Sequence, residues 1–314
     1  MLKKELCSIG KLYAISAAHA GSGAATSAVD LPIQRERHTE WPQIQASGVK
    51  GAFRDHFRKF SGREASELIN LIFGSDEGND NWGKDWGMLP GAVSISDARI
   101  FAFPVRSNVA PFVWVTCPAV LKRFNADLAY IDFGKYVAIE NIKEDGALSI
   151  GAEELSGQVV LEDAVVTVAL HHPDPCITEM FTEIERLLLI SDEMFKYAVT
   201  CCTEIQAHIK IDEKKGTADD GALWYQEYLP ADSVLYTVVH YSHRDGAEMG
   251  EQDKDSHEDI KVKMGEIKAQ IANMKASNIK QYVEDSIKGF VQIGGDETLG
   301  KGIFQLTWIP GGAA

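Results

Sequence analysis

Residues 12–30 read Leu12-Tyr-Ala-Ile-Ser-Ala-Ala18-His19-Ala-Gly21-Ser-Gly23-Ala-Ala-Thr26-Ser-Ala-Val29-Asp30, and residues 47–60 read Ser47-Gly-Val-Lys50-Gly-Ala-Phe53-Arg54-Asp-His-Phe57-Arg58-Lys59-Phe60. The first stretch opens with a short apolar run, 12–18, read as a strand. It passes into small residues at 20–28, whose glycines let backbone come close to another group. It ends on the acidic Asp30. In the second stretch Val49, Phe53, Phe57 and Phe60 recur at helical spacing after Ser47, a good N-cap. Lys50, Arg54 and Arg58 recur four apart on another face. The pattern predicts a strand, a glycine loop and a helix with a basic stripe, which either meets phosphate or is an ordinary solvated face.

Outward from there, residues 74–90 form a loop rich in Gly, Asp, Asn and Trp, and 109–116 and 159–170 are β-rich. Residues 177–190 read as an amphipathic helix, and a second helix follows the Ser191 N-cap. Strands are expected at 205–211 and 234–241, with a turn-rich 212–221 between them. Residues 244–259 are charged, and Ile260, Met264, Ile267, Ile271 and Met274 mark a long helix. A strand, the glycine loop 294–302 and a last strand at 303–308 close the chain. Hairpin-like and crossover connections mix, so the expected class is α+β rather than a doubly wound sheet.

The chain has 314 residues, 45% of them hydrophobic, and a formal charge of -15. Phosphates respond to summed positive potential, so this balance excludes nucleic-acid binding by the whole surface and requires any RNA site to be local. Residues 31–63 form a basic stretch inside this acidic chain, with seven basic residues against the acidic Glu36, Glu40 and Asp55. The five cysteines, Cys7, Cys117, Cys176, Cys201 and Cys202, show neither zinc spacing nor a disulfide framework, which points to a reducing cytoplasm. The N-terminus mimics a signal peptide, but Glu5, Ser8, Gly10 and Lys11 break its apolar centre, and no segment is apolar enough to span a bilayer.

Gly295-Asp-Glu-Thr-Leu-Gly300-Lys301-Gly302 matches much of a phosphate-binding P-loop. Gly302 stands where Ser or Thr would hold Mg²⁺, and too little chain follows for an NTPase. A turn that contacts phosphate without hydrolysing nucleotide and a purely structural turn both remain. Gly21-Ser-Gly23 falls short of a dinucleotide fingerprint, because Thr26 replaces the third glycine. HExxH and GxSxG are missing from the sequence. His19 and Asp30 flank the glycine loop, where an imidazole or carboxylate can orient a ribose hydroxyl, a phosphate or a metal-bound water, or can act as a strand-end bonder and a loop cap.

Taken in order, His19-Ala-Gly-Ser-Gly23, Val29-Asp-Leu-Pro-Ile-Gln-Arg-Glu36, His38-Thr39, Pro42-Gln-Ile44 and Ser47 through Arg54 resemble the N-terminal pattern of the RAMP superfamily, specifically the ribonuclease backbone subunits of type III-B (Cmr) CRISPR effectors. Further matches run to the C-terminus: Ser96-Asp-Ala-Arg99, Pro104-Val-Arg-Ser107, Thr116-Cys-Pro118, Ile190-Ser-Asp-Glu-Met-Phe195, Trp224-Tyr-Gln-Glu-Tyr-Leu-Pro230 and residues 294–302.

The resemblance implies a modified RRM-like, ferredoxin-type core across a single elaborated domain, 1–314. Its palm is built from both ends of the chain, with insertions at about 60–110 and 150–290 that form a thumb over guide RNA. It implies that Asp30 cleaves target RNA with a divalent metal, Mg²⁺ or Mn²⁺, with His19 and Glu227 beside it. Lys50, Arg54, Arg58, Arg106, Ser107, Gly300, Lys301 and Gly302 are then RNA contacts. Guide RNA, target RNA, other Cmr subunits and further copies of the chain are the implied partners, with no membrane. The competing functions are a non-catalytic guide-binding scaffold and a guide-processing endonuclease, which would need a His/Tyr/Lys acid–base set rather than a lone aspartate.

Overall fold

The first strand, β1 (Cys7–Ala14), is buried on both faces, so its side chains do not alternate between core and solvent. Lys11 lies within it at 3% exposure. Its ammonium sits 2.6 Å and 2.8 Å from the two Glu183 carboxylate oxygens and 3.0 Å from the Met180 carbonyl, which is how a charge is kept in an apolar layer. The residue that breaks the apolar run in the sequence is thus a buried, paired part of the core. The computed structural model describes residues 6–25, 28–61, 66–74, 90–211, 216–243 and 274–312.

After β1 come β2 (Gln43–Ile44), α1 (Ala46–Ser61), α2 (Ser66–Phe73), β3 (Val93–Ile95), β4 (Ala98–Arg106), β5 (Phe112–Thr116) and α3 (Pro118–Tyr130). The middle of the chain forms β6 (Gly146–Ser149), β7 (Gly157–Leu161), β8 (Ala164–His171), α4 (Pro175–Met180), β9 (Leu187–Ile190) and α5 (Asp192–Cys201). The chain ends with β10 (Glu204–Ile211), β11 (Ala218–Tyr228), β12 (Val234–Tyr241), α6 (Ala276–Ser286), β13 (Gly289–Gln292) and β14 (Ile303–Pro310). The long sheet runs β13-β14-β1-β12-β4-β5-β9-β6-β8-β7, while β10 and β11 pair separately as a two-stranded ribbon.

Within the long sheet β14, β1, β12 and β4 are neighbours and antiparallel throughout. β12 registers Leu235 against Leu12 and Val234 against Tyr13. α1 buries Val49, Phe53 and Phe57, and Phe53 meets the Trp308 ring of β14 edge-on at 6.0 Å. Among the described residues no helix is long and apolar enough to cross a membrane.

Mixed α and β content agrees with the expected class. Two boundaries do not. Residues 177–190 contain only the end of α4, then β9, whose Leu-Leu-Leu-Ile is fully buried between β5 and β6. A short apolar run cannot separate a buried strand from a helix by periodicity alone. β4 and β12 fall in the stretches expected to be insertions, yet both lie in the main sheet close to β1, so those insertion limits are too wide. The charged stretch at 244–259 and most of the long helix expected after it lie outside the described residues, as does most of the loop at 74–90.

Candidate nucleic-acid interface and catalytic site

β11 carries β10 on one edge, and its other edge is taken up by two short returns of the N-terminal segment. Ala18 bridges Leu229, with reciprocal bonds of 2.9 Å, and Leu31 bridges Gln226 in parallel. His19 and Asp30, at the two ends of the glycine loop, are therefore brought to the same strand edge.

At one end, the His19 Nδ1 lies 2.7 Å from the Glu227 carbonyl. A carbonyl only accepts, so Nδ1 carries the proton and neutral His19 presents a lone pair at Nε2. The loop accommodates this ring by lacking side chains. A Cβ on Gly21 would stand 2.6 Å from Nε2, and a Cβ on Gly294 would stand 2.6 Å from the His19 carbonyl oxygen. At the other end, the Asp30 carboxylate is exposed and accepts the Tyr225 N–H at 2.7 Å, while the Asp30 N–H donates to the Tyr225 carbonyl at 3.1 Å.

Glu227 is placed differently from its expected role. Its carboxylate is buried, accepting from Arg35 at 2.6 Å, Thr203 at 2.8 Å and the Ile33 N–H at 3.0 Å. It ties the 31–35 segment to the ribbon rather than facing the loop. Its backbone carbonyl, not its side chain, meets His19.

The glycine loop 294–302 closes the site from a third side. Gly295 N–H donates to the His19 carbonyl and Gly302 N–H to the Ala17 carbonyl, both at 2.9 Å. Asp296 and Gly300 are left-handed, and a three-residue 3₁₀ turn, Glu297–Leu299, lies between them. β14 follows where an NTPase would have a helix, so the P-loop likeness ends at the turn. The Lys301 ammonium sits 4.8 Å over the Tyr228 ring. Asp296 accepts from Gln226 at 2.6 Å and from the Tyr228 hydroxyl at 2.9 Å, and His208 lies 3.1 Å from that hydroxyl. Burial first, and then the bond to Asp296, push the Tyr228 phenol far above its usual pKa, so it stays protonated.

The sequence reading does not single out His208, Tyr228, Gln226 or Asp296. Strand alternation is a signal for the first three, since His208, Trp224, Gln226 and Tyr228 share one face of the ribbon once the register His208↔Trp224 is known, whereas Asp296 lies in the glycine loop and gives no such signal.

The basic stripe is only partly free. Arg54 donates to the Gly74 carbonyl and to Asn70, each at 2.7 Å, and so ties α1 to the end of α2 instead of facing outward. Arg58 is exposed, and Lys50 is half-buried. Lys59 pairs with Asp55 and reaches Glu297 at 3.5 Å, which sets α1 beside the glycine loop. Arg106 and Ser107 sit apart from these elements. Arg106 is bonded to Glu162, Ser107 bridges Leu161, and Arg106 borders a cleft of about 440 Å³ lined also by Tyr197, Cys201, Cys202 and Thr203.

No group of three or more His, Cys, Asp or Glu side chains is arranged to hold a metal among the described residues. A hydrated divalent ion keeps most of its waters and needs few protein ligands. Asp30 offers one exposed carboxylate.

The framework is a strand–loop–helix segment closed by a C-terminal glycine loop, with a carboxylate and an imidazole on one strand edge. Residues 11–305 match the family model of the RAMP superfamily. The chain is 32% identical to the CRISPR system Cmr endoribonuclease Cmr4 of Pyrococcus furiosus over 94% of its own length and 93% of the relative's. It is 23% identical to the CMR subunit Cmr4 of Saccharolobus solfataricus over 95% of each chain. Among solved structures, the apo type III-B Cmr-beta complex contains a chain that superposes with a TM-score of 0.71 at 22% identity, covering 98% of both chains. Oligomeric Cmr4 from Pyrococcus furiosus superposes at 0.64 and 24% identity, covering 97% of this chain and 98% of that one. The chain belongs to the RAMP superfamily and, within it, to the Cmr4 family of CRISPR systems.

Proposed function

We propose that this protein is the repeated guide-RNA-binding subunit of a type III-B effector and cleaves complementary target RNA at Asp30. The observation that carries the reading is the exposed Asp30 carboxylate, held at a fixed place by the Tyr225 N–H on the strand edge that also fixes His19. The named activity of the Pyrococcus relative, an endoribonuclease, supports it.

The strand order β14-β1-β12-β4, antiparallel throughout, with α1 after β1 and α6 ahead of β14, supports an RRM-like ferredoxin-type palm, whose βαββαβ chain order yields that arrangement. The β10–β11 ribbon suits the thumb. Its outer face exposes Ile205, Ile209, Leu223 and Tyr225, an apolar surface that RNA bases, another subunit or a further copy of the chain can cover.

Asp30 with the RNA phosphates would hold Mg²⁺ or Mn²⁺, and the ion, when bound, supplies stabilisation of charge developing on the phosphate. Arg58, Lys50 and Lys301 neutralise RNA phosphates and fix register without reading sequence, which base pairing supplies. His19 orients the reacting ribose or phosphate through its open Nε2. The Tyr225 N–H bond also favours a second reading, in which Asp30 is only a loop cap of a guide-binding scaffold. Target RNA incubated with assembled complex and Mg²⁺ separates the two: fragments at regular intervals support the ribonuclease, and intact RNA supports the scaffold.

A further inference from the structure

We propose that His208 on β10 is a further catalytic residue, forming with His19 an acid–base pair for transphosphorylation of the RNA phosphodiester, and that Asp296 is the positioning residue that orients His208 through Tyr228. The proposal rests on the ribonuclease reading above.

The argument is one of proton direction. The Asp296 carboxylate can only accept, so the Tyr228 hydroxyl proton points to it, at 2.9 Å. The Tyr228 oxygen is then an acceptor, and His208 Nε2, 3.1 Å away, must be the donor. Neutral His208 therefore presents its lone pair at Nδ1. The raised pKa of Tyr228 keeps the phenol from ionising and so preserves that direction.

His19 is arranged in the mirror sense, with its proton held on Nδ1 by the Glu227 carbonyl and Nε2 left beside the bare Gly21. Both imidazoles border one ring: His19 lies 5.7 Å and His208 6.2 Å from Tyr228, centroid to centroid. Trp224 stacks on His208 at 5.5 Å and 13°, fixing its plane, and the Lys301 ammonium sits over the same Tyr228. Among the described residues, the charged and titratable groups around His208 include Tyr228, Asp296 behind it, Lys301 from the glycine loop, and Glu204 on its own strand face.

His19 and His208 supply a proton acceptor and a proton donor, and Lys301 a cation, for acid–base cleavage, while Tyr228 keeps its proton and only orients His208. A neutral imidazole takes the 2′-hydroxyl proton as the 2′-oxygen bonds to phosphorus. The second, protonated, gives its proton to the 5′-oxygen as the phosphorus–5′-oxygen bond breaks. The products are a 2′,3′-cyclic phosphate and a 5′-hydroxyl, with no water consumed and no redox change. Lys301 offsets the extra negative charge on the pentavalent phosphorus.

The test uses the assembled complex with guide RNA, saturating Mg²⁺ and a matched target. His208→Gln retains an N–H donor for Tyr228 but cannot exchange a proton near neutral pH. Target affinity should be unchanged, cutting should slow by about 100-fold or more, and the pH–rate profile should lose one limb of its bell. Asp296→Asn should slow cutting by about tenfold and shift the limb that His208 sets, since it acts only through Tyr228. Wild-type products should end in cyclic phosphate, and a 2′-deoxynucleotide at the scissile position should block cutting. His208→Gln cutting within about threefold of wild type with both limbs intact, or products ending in 3′-hydroxyl, would overturn the proposal. Asp30→Asn run alongside separates the failures. Loss of cutting in Asp30→Asn with wild-type cutting in His208→Gln defeats this inference alone, whereas wild-type cutting in Asp30→Asn defeats the ribonuclease assignment to Asp30.

Discussion

Arg35 and Glu227, 192 residues apart, meet at 2.6 Å in a pair whose side chains are 21% and 9% exposed. The pair fastens the segment carrying Asp30 to the ribbon. Glu227→Ala leaves the half-buried Arg35 charge without its carboxylate, still bonded to the Glu40 and Val199 carbonyls, and removes the acceptor for Ile33 and Thr203. It should cost about 3 kcal/mol, the scale for breaking a buried pair. Denaturant unfolding should show the loss. Cutting should fall along with stability, whereas an unchanged midpoint would mean that the segment is held elsewhere.

Arg54 and Arg58 stand one turn apart on α1 and should behave oppositely. Arg54→Ala removes two bonds to the end of α2 and should lower stability by about 1–3 kcal/mol, the range for hydrogen bonds from a charged group. Arg58→Ala should leave the melting temperature alone and weaken guide-RNA binding, with a reduced salt slope. Filter binding at several salt concentrations, beside thermal unfolding, checks both. A salt slope unchanged by Arg58→Ala would make the outer stripe an ordinary solvated face.

Gly300 and Gly302 are both left-handed, with φ of 72° and 71°, but only Gly302 is also crowded: a Cβ there would stand 2.3 Å from the Ile293 carbonyl oxygen, while Gly300 opens on space. Gly302→Val should abolish folding or assembly. Gly300→Val should cost only backbone strain, about 1–3 kcal/mol. Lys301→Ala should assemble normally and bind RNA less well, and no variant should hydrolyse ATP or GTP. Equal yields of assembled complex from both glycine variants would contradict this.

Glu36 gives a pH signature. Burial alone would raise its pKa, but hydrogen bonds from Thr39 and Arg123 and the Arg123 charge outweigh it and hold the carboxyl below its usual value. A depressed folded pKa gives stability that is present above the unfolded value, near 4.3, and is lost as pH falls through the folded one. Unfolding midpoints should therefore drop more steeply with acid in wild type than in Glu36→Gln below about pH 4.5. Identical slopes would remove Glu36 from the account.

The sequence made some of this legible and hid the rest for physical reasons. α1 was readable because Val49, Phe53 and Phe57 face one way at helical spacing, and β12 was readable from its apolar run at 234–241. The sequence reading starts β1 five residues late, because a strand buried on both faces does not alternate and Lys11 reads as an interruption. β9 is hidden inside an apparent helix. His19 and Asp30 were visible as the ends of a glycine loop. His208, Tyr228 and Asp296 were not, since they meet only through the ribbon register and a loop about 70 residues further along the chain.

The central claim, that Asp30 is the residue at which RNA is cut, is tested most directly by Asp30→Asn in the assembled complex. Asparagine keeps the size of aspartate and an acceptor for the Tyr225 N–H, but removes the charge. Target affinity by gel shift and fragments on a denaturing gel are read from one preparation, with and without Mg²⁺. The account predicts wild-type target binding with no regularly spaced fragments in either condition. Fragments at the wild-type rate would contradict it and leave the chain a guide-binding scaffold.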